Sequence, residues 1–290
     1  MLRFDDRVAI ITGAGHGLGR AHALLLAERG ARVVVNDLGG ALDGTGASAG
    51  PAAEVVELIM KNGGQAVANA DNVATPEGAE AIVQAALDAF GKVDIVVNNA
   101  GILRDRSFGK MTVDEFDAVL AVHVRGSYLV SRAAYPYMKA AGYGRVVNTS
   151  SPAGLFGNFG QANYSTAKMG LVGLTKTLGI EGARNGIKAN AIAPVAWTRM
   201  TDSLLPGEFE AKFTPERVSP LVACLVHDSC EVSGEVFTVG GGRVARVFVA
   251  EGPGWSADDV TPEAIADNWA AVMAEQPYVL TAADSMRAMQ

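Results

Sequence analysis

Residues 12–19 read T-G-A-G-H-G-L-G, and they join a short β-branched run at residues 7–12 (R-V-A-I-I-T) to a helical pattern at residues 18–29. A buried strand that ends in glycines and opens into a helix gathers backbone N–H groups at the positive helix end, where a pyrophosphate can be held. Gly13, Gly17 and Gly19 are the close-approach positions, and Thr12, Gly15 and Leu18 complete the loop. A second run, residues 31–36, is followed by Asp37, a little over twenty residues beyond the loop. A carboxylate at that strand end binds ribose hydroxyls and repels a 2′-phosphate. The two features predict a dinucleotide site, and NAD over NADP. No lysine followed by serine or threonine closes the loop, which disfavours an ATP-type phosphate loop.

The same rhythm continues. Short apolar runs fall at residues 65–70, 93–98, 145–149, 187–192 and 236–239, which suit strands buried on both faces. Helical patterns lie between them at 51–62, 76–90, 112–128 and 162–185. Two of these begin with proline, and residues 112–115 (T-V-D-E) read as a capping box. The expected fold is therefore α/β. It is a Rossmann-type, doubly wound parallel sheet of about seven strands with helices on both faces. Residues 1–245 form the nucleotide-binding domain, and residues 246–290 are a C-terminal extension containing a helical pattern at 261–274. The glycine-rich stretch 38–50 breaks the rhythm and reads as a loop. In the extension, Trp255 and Trp269 are expected to pack beside the substrate cleft, on the domain or on a partner subunit.

Composition narrows the function. Of 290 residues, 49% are hydrophobic and 19% charged, so a large core can form; the net charge of −7 argues against a nucleic-acid-coating surface. Cys224 and Cys230, with His227 between them, are too few ligands for a metal site, and free thiols in a reduced cytoplasm are expected. No apolar run reaches the ~18 residues of a membrane span. The N-terminus lacks a secretory pattern, and the C-terminal R-A-M-Q differs from a serine-lysine-leucine address, so a cytoplasmic location is expected.

The chemical groups cluster at predicted strand ends. Residues 97–101 read V-N-N-A-G, and residues 145–151 read R-V-V-N-T-S-S. Strand carboxyl ends form the binding crevice of such sheets, so Ser151 points toward it. Tyr164 and Lys168 stand at i and i+4 of a helical pattern and share a face. Oxidising a hydroxyl requires a base for its proton as hydride leaves. A free phenol, with a pKa of about 10, is too weak a base at neutral pH, and a neighbouring ammonium lowers that value. Ser151 can hydrogen-bond the substrate oxygen as charge develops there.

Taken in this order, T-G-x-x-x-G-x-G, N-N-A-G, a strand-end serine and Y-x-x-x-K resemble the short-chain dehydrogenases/reductases over roughly residues 5–242. The resemblance implies a nicotinamide cofactor and a Ser151, Tyr164 and Lys168 catalytic set. The thirteen-residue spacing to the tyrosine selects Ser151 over Ser150. It also implies adenine contacts from Asp71 and Asn72, a loop role for Asn99, and ribose contacts from Tyr164 and Lys168. A nicotinamide cover is expected to start at Pro194 and include Val195 and Thr198. Residues 34–40 (V-V-N-D-L-G-G), 101–108 (G-I-L-R-D-R-S-F) and 157–168 are similar to the family's (3R)-hydroxyacyl-CoA dehydrogenases, which implies oxidation of (3R)-3-hydroxyacyl-CoA with NAD. A homodimer or homotetramer follows from the resemblance, as does a separate hydratase on the same pathway. A 17β-hydroxysteroid or general alcohol dehydrogenase is the alternative. An NADPH-dependent 3-oxoacyl-carrier reductase or a non-catalytic NAD sensor ranks lower.

Several positions depart from the family pattern. His123 stands where many members have an asparagine that supports a proton-relay water. Its role is structural, water-holding or titrating. Val195 replaces a usual glycine. Arg104, Asp105 and Arg106 form either a solvated loop or a contact to a CoA phosphate, with Arg106 the candidate. Phe156, Phe159 and Gln161 lie between Ser151 and Tyr164 and are expected to line the substrate wall. His16 is expected to face solvent.

Overall fold

Short β-branched runs with no polar face can be buried only as central strands, and here they pair side by side. The computed structural model describes residues 1–200 and 210–274 and the backbone of 278–279. In chain order, β1 is Val8–Thr12, α1 Gly17–Glu28, β2 Arg32–Asn36, α2 Gly50–Lys61, β3 Gln65–Asn69, α3 Pro76–Phe90 and β4 Ile95–Asn98. There follow α4 Val113–Leu120, α5 Gly126–Ala141, β5 Gly144–Thr149, α6 Pro152–Phe156, α7 Ala162–Gly182 and β6 Ile187–Pro194. Then come α8 Ser219–Val226, β7 Val236–Gly240 and β8 Arg243–Val247. The sheet order is β3-β2-β1-β4-β5-β6-β7-β8. Strands β1 to β7 are parallel, with Thr12 opposite Asn36 and Val97 opposite Val147. The order reverses beside β1, where β4 pairs on its other edge, and a crevice opens at such a switch point.

Alternation along each strand feeds two cores. Ala9 and Ile11 face Leu26, Val55, Ile59 and Val222 on one side. Val8 and Ile10 face Ile82, Val130, Ala134 and Met138 on the other. Each fully buried Ile or Leu contributes about 1.5–3 kcal/mol. A third, smaller cluster of Ile102, Val119 and Ala167 packs with Tyr164.

The expected parallel sheet of about seven strands is β1 to β7, and an eighth strand, β8, joins its edge. Gly241 and Gly242 have φ of +58° and +86°, the left-handed pair that a two-residue hairpin requires. So short a connection reverses the chain, and β8 returns along β7 as an edge strand. Its Arg246 holds Glu235, just before β7, through two contacts of 2.8 Å. The helix expected at 112–128 also runs further. Thr112 and Glu115 form the capping box, α4 passes through a π turn at Ala121–Arg125, and α5 continues to Ala141. Pro136 costs about 3 kcal/mol inside a helix. Val130, Ala134 and Met138, spaced four apart, all stay in the core, and this burial holds the helix through the proline.

The chain divides into two compact units, Met1–Arg246 and Val247–Gln290. In the second, β9 (Ala250–Glu251) pairs antiparallel with β10 (Tyr278–Val279). The expected single helix at 261–274 is split there. α9 (Pro262–Asp267) ends at Asn268, which donates to the Ala264 carbonyl, and α10 (Trp269–Val272) follows. Among the described residues no helix is long and apolar enough to cross a membrane.

Candidate active site

The carboxyl ends of β1, β2, β4 and β5 open into one cleft of about 440 Å³. Gly13, Gly17 and Leu18 line it, while Thr12, Gly15 and Gly19 stand behind and shape it. A Cβ on Gly19 would meet the Gly13 carbonyl oxygen at 2.2 Å, so only glycine lets the loop fold so tightly onto α1. Asn99 Nδ2 donates to the Thr12 and Gly13 carbonyls, both at 3.0 Å. Thr12 Oγ1 accepts from the Asn99 and Ala100 amides. Loop and β4 end are thus fixed to each other, with the α1 N-terminus open to the cleft.

Asp37 lines the cleft, and its carboxylate accepts from the Gly15 and Gly39 amides, each at 2.7 Å. Asp71 and Asn72 also line it. Asp71 is held by Asn69 Nδ2 at 2.7 Å. Pro194 and Thr198 also line the cleft, with Thr198 Cγ2 beside Gly17 of the glycine loop. Val195 does not line the cleft; its amide continues the sheet by donating to the Val239 carbonyl at 2.8 Å. Residues 201–209, which continue the expected nicotinamide cover, lie outside the described residues. His16 lines the cleft and is half-buried.

Ser151, Tyr164 and Lys168 converge on the same cleft. Ser151 caps α6, accepting from the Ala153 amide, and hydrogen-bonds Tyr164. Ser150 does a different job: it is buried and donates to the Lys168 carbonyl at 2.7 Å. Lys168 is 3% exposed, donates from Nζ to the Thr149 carbonyl at 2.6 Å, and lies 5.3 Å from the Tyr164 ring centre. Burial pushes the Tyr164 hydroxyl up to about 12; the Ser151 hydrogen bond opposes this and the Asp105 charge adds to it. Burial also pushes Lys168 down to about 7. The expected lowering of the phenol by its lysine is therefore outweighed here. The physical reason is that both groups are withdrawn from water and the lysine's own charge is disfavoured.

His123 lies in the π turn, a distortion that often marks functional positions. It is 1% exposed and lines the cleft. Nε2 lies 3.0 Å from the Ile102 amide and 2.9 Å from its carbonyl, and Nδ1 has no protein partner. The imidazole stays well below its ordinary value because of burial first and the Lys168 charge second, with the Ile102 backbone opposing. A Cβ on Gly101 would strike His123 Cε1 at 2.4 Å, so glycine there makes room for the ring.

The expected substrate wall fares differently. Phe156 is 74% exposed and Phe159 89% exposed, and neither lines the cleft. Gln161 is buried but turned away: its amide donates to Asp105 Oδ2 at 2.7 Å and accepts from Asn158 at 2.9 Å. Arg106 pairs with Glu115 at 2.8 Å, outside the cleft, whereas Arg104 lines it. These are corrections to the sequence expectation. The polar side chains of residues 158–163 serve to dock the 104–106 segment on α7. Sequence reasoning also missed a buried network under the site. Asn98 donates to Ser131 and Asn148, each at 2.8 Å, and Asn148 donates to Thr175 at 2.9 Å. The N-T-S and N-N-A-G strand ends carried that signal, but no pattern showed which residues meet. Among the described residues no cluster of three or more His, Cys, Asp or Glu gathers in metal-binding fashion.

This fold and site define a short-chain dehydrogenase: the family profile described as short chain dehydrogenase matches residues 7–208, and the chain belongs to that family. It is an oxidoreductase of the class that acts on CH–OH groups. Over 272 residues it is 51% identical to peroxisomal multifunctional enzyme type 2 of Mus musculus, covering 92% of this chain and 37% of that one. It is 39% identical over 310 residues to hydroxyacyl-CoA dehydrogenase ChsB1 of Mycobacterium tuberculosis, covering 98% of this chain and 94% of the relative. The solved full-length peroxisomal multifunctional enzyme type 2 of Drosophila melanogaster matches at TM-score 0.83 and 38% identity, over 99% of this chain and 49% of that chain. A 7α-hydroxysteroid dehydrogenase solved with NADH and 7-oxo glycochenodeoxycholic acid matches at TM-score 0.75 and 30% identity, over 83% of this chain and 95% of that chain. The chain thus spans only part of its multifunctional relatives.

Proposed function

We propose that this chain oxidises (3R)-3-hydroxyacyl-CoA to 3-oxoacyl-CoA with NAD. The observation that carries the reading is the convergence of Ser151, Tyr164 and Lys168 on the cleft whose other end holds the glycine loop and Asp37. The residues fit a nicotinamide dinucleotide: the loop leaves no room for a Cβ at Gly19, and the α1 N-terminus faces the cleft. When bound, NAD accepts the hydride. Tyr164 takes the substrate hydroxyl proton, and Ser151 holds the substrate oxygen. Lys168 binds the ribose, and its charged form favours the phenolate against the burial that raises the Tyr164 hydroxyl. His123, through its unpartnered Nδ1, holds the water that carries the proton away. Asp37 supports NAD over NADP, because a carboxylate at this strand end binds ribose hydroxyls and repels a 2′-phosphate.

The acyl-CoA half of the reading draws support from the similarity to ChsB1 and to the multifunctional enzymes. A hydroxysteroid substrate is the second reading, supported by the likeness to the 7α-hydroxysteroid dehydrogenase. The chain works as a homodimer or homotetramer, with exposed Tyr128, Tyr137, Met169 and Ile180 on α5 and α7 suited to pairing. A separate hydratase supplies the substrate. The location is cytoplasmic, although several relatives are named as peroxisomal. Steady-state rates for (3R)- and (3S)-hydroxyacyl-CoAs and 17β-hydroxysteroids, each with NAD and NADP, test this. Preference for the (3S) form, for the steroid or for NADP would overturn the corresponding part.

A further inference from the structure

The glycine-rich stretch after β2 crosses the cleft as a strap. Leu38, Gly40, Ala41, Leu42 and Gly44 line the cleft wall. The strap closes on itself, since the Ser48 amide donates to the Leu38 carbonyl at 2.9 Å and the Ala41 amide to the Thr45 carbonyl at 2.8 Å. Its root is fixed by Asp37, which accepts from the Gly39 amide. Its tip is rich in glycine and carries high conformational entropy, so it stays over the cleft only if something holds it.

That holder is the segment 102–106. The Leu103 amide donates to the Leu42 carbonyl at 2.9 Å, and Arg104 Nε donates to the Asp43 carbonyl at 2.9 Å. Ile102 packs under Gly44. The segment is itself a fixed post. Asn163 Nδ2 holds the Arg104 carbonyl at 2.9 Å, Gln161 holds Asp105 at 2.7 Å, and the Arg106 amide donates to the Gly160 carbonyl at 2.8 Å. The post is therefore bolted to the start of the catalytic helix α7 on one side and to the strap on the other.

We propose that Arg104 is a positioning residue that fastens the strap across the cofactor cleft and thereby sets how long the nicotinamide cofactor stays bound. Its guanidinium reaches back to the Asp43 carbonyl at the strap tip, where the other ties of Asp43, from the Thr45 amide and hydroxyl, stay within the strap and do not hold it to the body of the domain. Local opening of the strap frees the cofactor, and release steps of this kind govern turnover in many enzymes. The proposal rests on the cofactor reading above, but strap fastening can be measured without any cofactor.

The test compares wild type with Arg104→Ala and Arg104→Lys. Amide exchange of residues 41–46 is followed in the free protein, and NADH dissociation is followed by stopped-flow fluorescence. A hydrogen bond from a charged donor corresponds to about a ten-fold effect. Arg104→Ala is expected to speed both exchange of the strap amides and NADH release about ten-fold. It should raise KM for NAD without lowering kcat. Arg104→Lys, which keeps a donor on a long stem, should recover most of the loss. Gly44→Val provides a second route. The φ of +87° and Ile102 at 3.1 Å leave no strain-free place for its side chain, so it should loosen the strap in the same direction. Strap exchange unchanged in Arg104→Ala, or NADH release within two-fold of wild type, would overturn the proposal. So would a rise in KM for acyl-CoA alone, which would make Arg104 a substrate contact. A wild type that binds no NADH would sink the cofactor reading, while the exchange data would still decide the fastening.

Discussion

His123 stands edge-on to Tyr164, with ring centroids 5.3 Å apart and planes at 85°. The imidazole cannot be both donor and acceptor at Nε2, yet it touches the amide and the carbonyl of Ile102 there. Whichever tautomer is present, Nδ1 is a buried polar atom without a protein partner, which costs about 1–3 kcal/mol unless a water meets it. The arrangement makes sense if Nδ1 holds a relay water beside the tyrosine. His123→Asn should keep at least a third of the wild-type kcat, whereas His123→Ala should lose about ten-fold, less than the roughly 100- to 10,000-fold of a direct acid–base group because it acts through a water. Gly101→Ala should mimic the alanine variant by displacing the ring. Steady-state rates across pH 6–9 check this, and equal rates for wild type and His123→Ala would remove the relay.

Tyr164→Phe separates chemistry from binding. The ring keeps its packing against Ile102 and Ala167, so the fold and the cofactor cleft survive. Turnover should fall about 100- to 10,000-fold while NADH affinity changes little. Fluorescence titration alongside steady-state rates decides between an enzyme and a silent sensor.

The proposed preference for NAD rests on Asp37. Its two oxygens are already used by the Gly15 and Gly39 amides, so the charge is fixed in place. Asp37→Asn keeps a carbonyl acceptor but removes the repulsion of a 2′-phosphate. The ratio of kcat/KM for NADP over NAD should rise on the order of ten-fold, as expected for removing one charge–charge contact of about 1–2 kcal/mol near the surface. No change in the ratio would mean that the strap, not the carboxylate, excludes NADP.

Acid should loosen the molecule through His22. This residue is fully buried in α1; Nδ1 contacts Ser219 of α8 at 2.8 Å and burial pushes its imidazole down to about 3. Between that value and the ordinary 6.5, the unfolded chain binds a proton that the native state refuses. Stability is therefore lost as pH falls from about 6.5 toward about 3, at up to ~1.4 kcal/mol per pH unit for this group. His22→Gln should flatten the dependence of the urea midpoint on pH between about 4.5 and 6.5. An equal slope in both proteins would assign the acid sensitivity elsewhere, His123 being the next candidate.

Much of the site was legible because its signals are local. A glycine loop between a strand and a helix, an acid at the next strand end, and Tyr and Lys one helical turn apart each declare themselves within a few residues. Other features depended on distance. Thr112–Glu115 announced where α4 begins, but nothing local announced the π turn at His123, which depends on the ring fitting against Gly101. Gly241 and Gly242 turn the chain into β8, a strand outside the sequence expectation because its R-V-A-R-V pattern is that of an exposed edge with no buried apolar run.

By itself the sequence determined the alternation of strands and helices, the glycine cradle and the placing of Tyr164 and Lys168 on one helix face, since hydrophobic period and short spacing encode them. Only the tertiary structure decided which neighbours of those side chains meet the cleft. Phe156 and Phe159 point outward, Gln161 turns to Asp105, and the strap after Asp37 comes to rest on Arg104. Each outcome turns on a contact between segments far apart in the chain, where packing and hydrogen-bond partners, not local propensity, fix the direction of a side chain.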